Sequence, residues 1–135
     1  MQSFPINYWA VLVATLAKFF LGWAWYSSFL FGKQWQTLTG VTEAQMKAGM
    51  LKAIVADLVS TFVMAWVLLH AVHYAGAASL GLGVAVGFFN WLGFIGAASL
   101  GIMFYEQRPP KLVLIYNGYM LIAFLIMGGI LAVWT

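Results

Sequence analysis

The chain has 135 residues, of which 64% are hydrophobic and 7% are charged, with a net charge of +3 and no cysteine. A soluble domain is about half apolar and about a quarter charged, and one this short lacks the interior to bury so much apolar surface. The composition therefore excludes an ordinary soluble domain, and the missing cysteines exclude disulfides and thiolate metal sites. The basic residues form no cluster of the nucleic-acid-binding kind.

Four long apolar runs predict an all-α polytopic membrane protein. A helix needs roughly 20 apolar residues to cross the hydrocarbon core, and open strands cannot cross it. Short connections between such helices make consecutive spans antiparallel neighbours. We therefore predict one transmembrane domain, residues 1–135, with four helices in an antiparallel bundle. The predicted spans are about 6–26, 53–74, 80–105 and 111–134.

The long polar stretch after the first span predicts a helix that extends beyond the membrane. Gly32 is expected to end a helix. Thr42 is followed three residues later by Gln45, the capping-box spacing, so a helix should begin near Glu43. From there to Tyr74 it would measure about 48 Å, which exceeds the hydrocarbon core. The second helix is therefore predicted to have a cytoplasmic extension.

The orientation follows from the basic residues of the loops. The first and third loops contain five of them, and the second loop and both termini contain none. Because basic loops stay in the cytoplasm, residues 27–52 and 106–110 are predicted to be cytoplasmic and both termini outside. The expected location is the cell (inner) membrane. The five residues are Lys33, Lys47, Lys52, Arg108 and Lys111.

Two charges inside the spans are the main candidates for function. Lys18 lies roughly 12 Å and Asp57 roughly 5–8 Å from the cytoplasmic ends of their helices. Such charges are costly and point inward towards a partner. Asn117 of the fourth span lies at a similar depth and is expected to complete a polar cluster. The cluster could serve as an ion or proton relay or a substrate counter-ion. Alternatively, Lys18 and Asp57 could form a structural ion pair between helices, or each could simply extend towards the membrane surface, and Asn117 could only hydrogen-bond between helices.

The third span contains a stripe of small residues that predicts a close helix contact. Small residues let helix backbones approach, and an asparagine can hydrogen-bond across the contact. Either the bundle interior or a second copy of the chain could supply the partner, and a homodimer is the default. This predicted packing or oligomer face consists of Gly83, Gly87, Asn90, Phe94, Ala97 and Gly101.

The remaining polar residues are weaker candidates. His70 and His73 lie three residues apart near the outer end of the second span, which is a weak metal signal, and interfacial anchoring beside Tyr74 is favoured. Glu106 and Arg108 belong to the turn EQRPPK and are expected at the cytoplasmic interface rather than in a catalytic site. No metal and no cofactor is predicted.

The chain contains an ordered set of five short motifs. They are GWAWYSSFLFGKQW at Gly22–Trp35, TG at Thr39–Gly40, WLGF at Trp91–Phe94, EQRPPKL at Glu106–Leu112 and NGYxLxxxxIMGxIL at Asn117–Leu131. Together these motifs resemble the DUF1761 family of small bacterial and archaeal four-helix membrane proteins, over nearly the whole chain. The resemblance implies an integral membrane protein with four spans and implies no activity, because the family's function is unknown.

The functional expectation is a non-enzymatic membrane protein that binds or conducts a small lipophilic molecule or an ion through the polar cluster. The alternative is a structural or accessory protein whose polar residues only fix helix packing and oligomerisation. An enzyme is disfavoured because no catalytic constellation is found: both histidines are predicted outside and Asp57 inside. The expected partners are the lipid bilayer and a second copy of the chain, and not nucleic acid.

Overall fold

The structure is a computed structural model that describes residues 3–134, and within that range it contains no strand. Four of its helical segments are long and apolar enough to span a membrane, so the predicted all-α class with four such segments is confirmed. These four are α1, α3, the continuous segment Leu80–Tyr105, and α6. In chain order the helices are α1 (Tyr8–Trp25), α2 (Gly32–Thr39), α3 (Glu43–Tyr74), α4 (Leu80–Trp91), α5 (Ala97–Tyr105) and α6 (Pro110–Val133), with a π turn, Leu92–Gly96, between α4 and α5.

The helix boundaries follow local chemistry. The predicted capping box at the start of α3 is confirmed: the Gln45 backbone N–H donates to Thr42 Oγ1 at 3.1 Å, and the Thr42 N–H donates to Gln45 Oε1 at 3.0 Å. Gly32 begins α2 instead of ending a helix, so that expectation is wrong. It is buried, and a Cβ there would collide with the carbonyl of Tyr26. Glycine is needed for this close approach.

Helix α6 contains more buried residues than any other helix and packs against α1, α3 and α4. Along α1, Asn7 Nδ2 donates to the Trp134 carbonyl at 3.0 Å, and Trp25 Nε1 donates to the Ile115 carbonyl at 3.0 Å. Contacts therefore run in opposite chain order along α1 and α6. The end of the molecule where Trp25, Glu106 and Lys111 lie is called the basic end below.

The contact between α4 and α6 is made backbone to backbone. A Cβ on Gly83 would collide with the carbonyl of Gly128, and one on Gly87 with the carbonyl of Phe124. Small residues allow such an approach, and dispersion and weak Cα–H···O contacts then stabilise it. The partner of this part of the predicted small-residue stripe is therefore α6 of the same chain.

Beyond Asn90 the predicted single face of the third span is wrong. Phe94 is 78% exposed, and Ala97 and Gly101 are exposed as well. A π turn contains one extra residue, which rotates the following helix by about 100° relative to an α-helix. As a result Ser99 is the buried residue of α5. A homodimer contact through the exposed residues stays a prediction.

The glycine contact predicts a position-specific loss of stability. Gly87→Ala should lower the free energy of unfolding by about 2 kcal/mol, because the new methyl group overlaps the Phe124 backbone. Gly101→Ala is the matched control, since a Cβ there meets nothing within 4 Å. Denaturation of both variants in detergent micelles, followed by circular dichroism, measures the difference. Equal midpoints for the two variants would contradict the contact.

Candidate functional site

Lys18 is buried where α1, α3 and α6 meet, with only 3% of the residue exposed. Its ammonium group donates to Asp57 Oδ1 at 3.3 Å and to Thr61 Oγ1 at 3.0 Å, both on α3. The ring of Tyr119, on α6, lies with its centroid 5.0 Å from Lys18 Nζ. The Tyr119 hydroxyl donates to the Lys18 carbonyl at 3.2 Å. One residue of α1 is therefore bonded to both neighbouring helices.

The pair is asymmetric in its exposure. The Lys18 side chain is 4% exposed, whereas that of Asp57 is 41% exposed. The ammonium has a carboxylate, a hydroxyl and an aromatic face around it, which together replace its lost hydration. The Asp57 carboxylate has one hydrogen bond, from Lys18. A molecule outside the helices can thus reach Asp57 but not Lys18.

Asn117 does not join this cluster, so the prediction that it completes the polar cluster of Lys18 and Asp57 is wrong. Its Nδ2 donates to Ser99 Oγ at 2.6 Å, on the other side of α6. Two residues along an α-helix are about 200° apart, so when Tyr119 faces α1 the side chain of Asn117 must face away. Thr61 and Tyr119 take the places near Lys18 instead.

Asn117 holds both sides of the π turn. The Trp91 indole N–H donates to the Asn117 carbonyl at 3.0 Å before the turn. After it, Ser99 accepts from the Asn117 amide and its hydroxyl donates to the Gly96 carbonyl at 2.8 Å. The Asn117 Oδ1 atom is buried and has no partner among the described residues. A donor supplied to that oxygen would remove a cost of about 1–3 kcal/mol.

A cleft of about 410 Å³ lies between α5 and α6 at the basic end, beside the hydrogen-bonded residues Ser99 and Asn117. Ser99 forms one polar part, and the Glu106–Arg108 ion pair, with a distance of 2.9 Å, forms another. Apolar side chains lie between them. The predicted turn residues therefore also line a cavity of the size that binds small ligands. The cleft is lined by Ser99, Ile102, Glu106, Arg108, Leu112, Val113 and Tyr116.

The two histidines lie around the aromatic ring of Phe4 at the opposite end of the molecule. The Phe4 ring stacks on His73 with a centroid distance of 3.6 Å and meets His70 edge-on at 5.1 Å. His70 Nδ1 is 2.7 Å from the Trp66 carbonyl. Within residues 3–134 no three or more His, Cys, Asp or Glu side chains are placed to hold a metal. The rings of His70 and His73 thus hold the N-terminal segment against α3 through Phe4.

The Lys18 site predicts unequal effects of its two neutralising substitutions. Asp57→Asn leaves a buried ammonium without its counter-ion and should cost about 2 kcal/mol, less than a fully buried pair because Asp57 is partly exposed. Lys18→Met leaves only the accessible carboxylate, so it should cost less. The double variant should unfold at a higher temperature than Asp57→Asn alone. Unfolding midpoints in detergent test this ranking of the stabilities of the three variants. A double variant that is less stable than either single variant would contradict the prediction.

Comparison with known proteins agrees with the resemblance noted in the sequence. A family model described as "Protein of unknown function (DUF1761)" matches residues 9–132, nearly the whole chain. No curated protein and no solved structure matches it. The matched range contains Lys18, Asp57, the π turn and both sides of the α5–α6 cleft. The chain therefore belongs to the DUF1761 family.

Proposed function

We propose that this protein is a multi-pass inner-membrane protein that binds a small amphipathic molecule in the α5–α6 cleft. The four membrane-length segments would form an antiparallel bundle, with the basic end and the first turns of α3 in the cytoplasm. The opposite chain order of the α1–α6 contacts and the basic residues of the first and third loops support this arrangement. The termini would then lie outside.

The observation that carries the proposal is the arrangement of polarity within the cleft. Along α5 the lining runs from the buried Ser99 through the apolar Ile102 to the exposed Glu106, and the Glu106–Arg108 pair is called the mouth of the cleft. Leu112 adds an apolar side chain from α6. A ligand with a charged head and an apolar body matches this succession of charged and apolar groups along the cleft. Ligand sites usually combine apolar walls with a few such polar groups.

The mouth suits an anionic head group. Arg108 and Glu106 are each more than half exposed, and an exposed ion pair contributes at most about 1 kcal/mol. An incoming carboxylate or phosphate can therefore compete with Glu106 for the guanidinium group. Arginine binds such groups with two parallel hydrogen bonds.

One member of the π turn's hydrogen-bond network, Ser99, lines the cleft. Its hydroxyl accepts from the Asn117 amide and donates to the Gly96 carbonyl. π turns occur frequently at functional sites. A ligand that donates to Ser99 Oγ would join this network, which supports binding at this place rather than at another apolar groove.

The Lys18–Asp57 pair supports the alternative, a structural role. Its ammonium is buried and already has three partners, so the pair favours fixing α1 against α3 and α6 over relaying ions. In that reading the chain is a structural or accessory protein, and the cleft holds only bulk lipid. We propose no chemical reaction for either reading.

Photolabelling with a diazirine-bearing dodecanoate tests the binding proposal. The label should react preferentially with α5 and α6 peptides around Ile102 and Leu112. Arg108→Gln should weaken the apparent affinity about tenfold, because a charge-assisted hydrogen bond is lost. Lys111→Gln removes the same charge outside the cleft lining and should have little effect.

Steric variants and a second groove provide the controls. Ile102→Trp should block labelling by filling the cleft, and Leu100→Trp, on an exposed position of the same helix, should not. A groove of about 380 Å³ between α1 and α3, lined by Leu16, Phe62 and other apolar residues, has no charged residue in its lining. Equal labelling of that groove would indicate unspecific partitioning and contradict the proposal.

The proposed orientation predicts the accessibility of single cysteines. The chain contains none, so Thr37→Cys on α2 and Ala78→Cys between α3 and α4 are unambiguous reporters. In intact cells a membrane-impermeant maleimide should label only Ala78→Cys, because Thr37 would be cytoplasmic. Both should be labelled after permeabilisation. The reverse pattern would invert the orientation.

A further inference from the structure

A second cleft lies on the same end of the molecule, between α2 and the first two turns of α3. It measures about 400 Å³ and is lined by the side chains Ser28, Gln36, Glu43, Met46, Lys47 and Met50, together with Tyr26 and Gly32. One hydrogen bond crosses the cleft: Gln36 Nε2 on α2 donates to Met46 Sδ on α3 at 3.1 Å. On the side of α1, the Trp35 ring meets the Tyr26 ring edge-on at 6.0 Å. The cleft thus lies between α2 and α3 beside the end of α1.

This cleft contains one acidic and one basic side chain that do not pair with each other. Glu43 and Lys47 are four residues apart on α3, the spacing at which such residues commonly form an ion pair. Within residues 3–134, however, the ion pairs are Lys18–Asp57 and Glu106–Arg108. Both Glu43 and Lys47 are exposed and line the cavity. Each charge is therefore available to a bound group.

We infer that this cleft binds the head group of a zwitterionic phospholipid that has a primary ammonium and a phosphate. Glu43 would accept from the ammonium, and Lys47 would donate to the phosphate as a point charge. The Ser28 hydroxyl and the Gln36 amide can bond the remaining oxygens. Because the two charges of the cleft cancel, a zwitterion balances it, whereas an anionic phospholipid without an ammonium group would leave Glu43 without a cationic partner.

The position of the cleft favours a lipid over a soluble zwitterion. Glu43 and Met50 are about 10 Å apart along α3, so the lining changes from charged to apolar in the direction of the membrane-length part of the helix. Tyr26 belongs to the aromatic residues at the end of α1, and aromatic residues of this kind mark the membrane interface. A head group in the cleft would thus place its glycerol next to Met50 and its chains in the bilayer.

Native mass spectrometry of the detergent-purified protein tests this inference. Phosphatidylethanolamine should bind about tenfold more tightly than phosphatidylglycerol with the same acyl chains, as expected for one charge-assisted hydrogen bond. Glu43→Gln should abolish that preference. Lys47→Gln should weaken both lipids about tenfold, because both contain phosphate. Both side chains are exposed, so these changes leave the helix packing intact.

Matched controls separate this site from others. Lys33→Gln removes the same charge from α2 outside the cleft lining and should leave lipid binding unchanged. Arg108→Gln, which disables the proposed α5–α6 site, should also leave the preference intact, so the two sites fail independently. Equal affinity for the two lipids in the unmodified protein would overturn the inference. So would competition by free phosphoethanolamine at the concentration at which the whole lipid competes.

Discussion

The burial of the Lys18 ammonium is the constraint that fixes three helices relative to one another. Removing a charge from water costs several kcal/mol unless partners replace its hydration. Those partners come from two different helices, with Asp57 and Thr61 on α3 and the Tyr119 ring on α6. Helices that slid or rotated would leave the charge unpaired. The interaction therefore specifies the register of α1 more than it adds net stability.

The glycine contact between α4 and α6 determines where a cleft can form. At Gly83 and Gly87 the backbones lie so close that no side chain can fit between them. The π turn then rotates the following helix, and Ser99 faces α6 across a wider gap. The close packing of one half of the segment thus depends on Gly83 and Gly87, and the cavity beside the other half follows from the extra residue of the π turn.

Elements whose signal is local could be predicted from the sequence. The four apolar segments follow from hydropathy, and the start of α3 follows from Thr42 and Gln45. The placement of Lys18 opposite Asp57 followed from depth and cost, since two charges inside adjacent spans have few other partners. Each of these inferences needed only a length, a spacing or a charge.

The remaining features depend on tertiary contacts that no local pattern shows. A π turn has no sequence signature comparable to a cap, so residue spacing alone puts the stripe that ends at Gly101 on one face and does not indicate Ser99. Depth alone puts Asn117 near Lys18, whereas the angle between Asn117 and Tyr119 assigns these two residues to different faces of α6. Gly32 resembles a helix stop, but its role comes from the carbonyl of Tyr26 beside it.

The central position of α6 has a consequence for biogenesis. It is the last of the four membrane-length segments to leave the ribosome, yet it supplies partners for α1, α3 and α4. In the proposed membrane bundle, the Gly83–Gly87 face would therefore lack its partner until α6 inserts, and Lys18 would have only its α3 partners. The last segment to be made would then complete the packing of α1, α3 and α4 in one step.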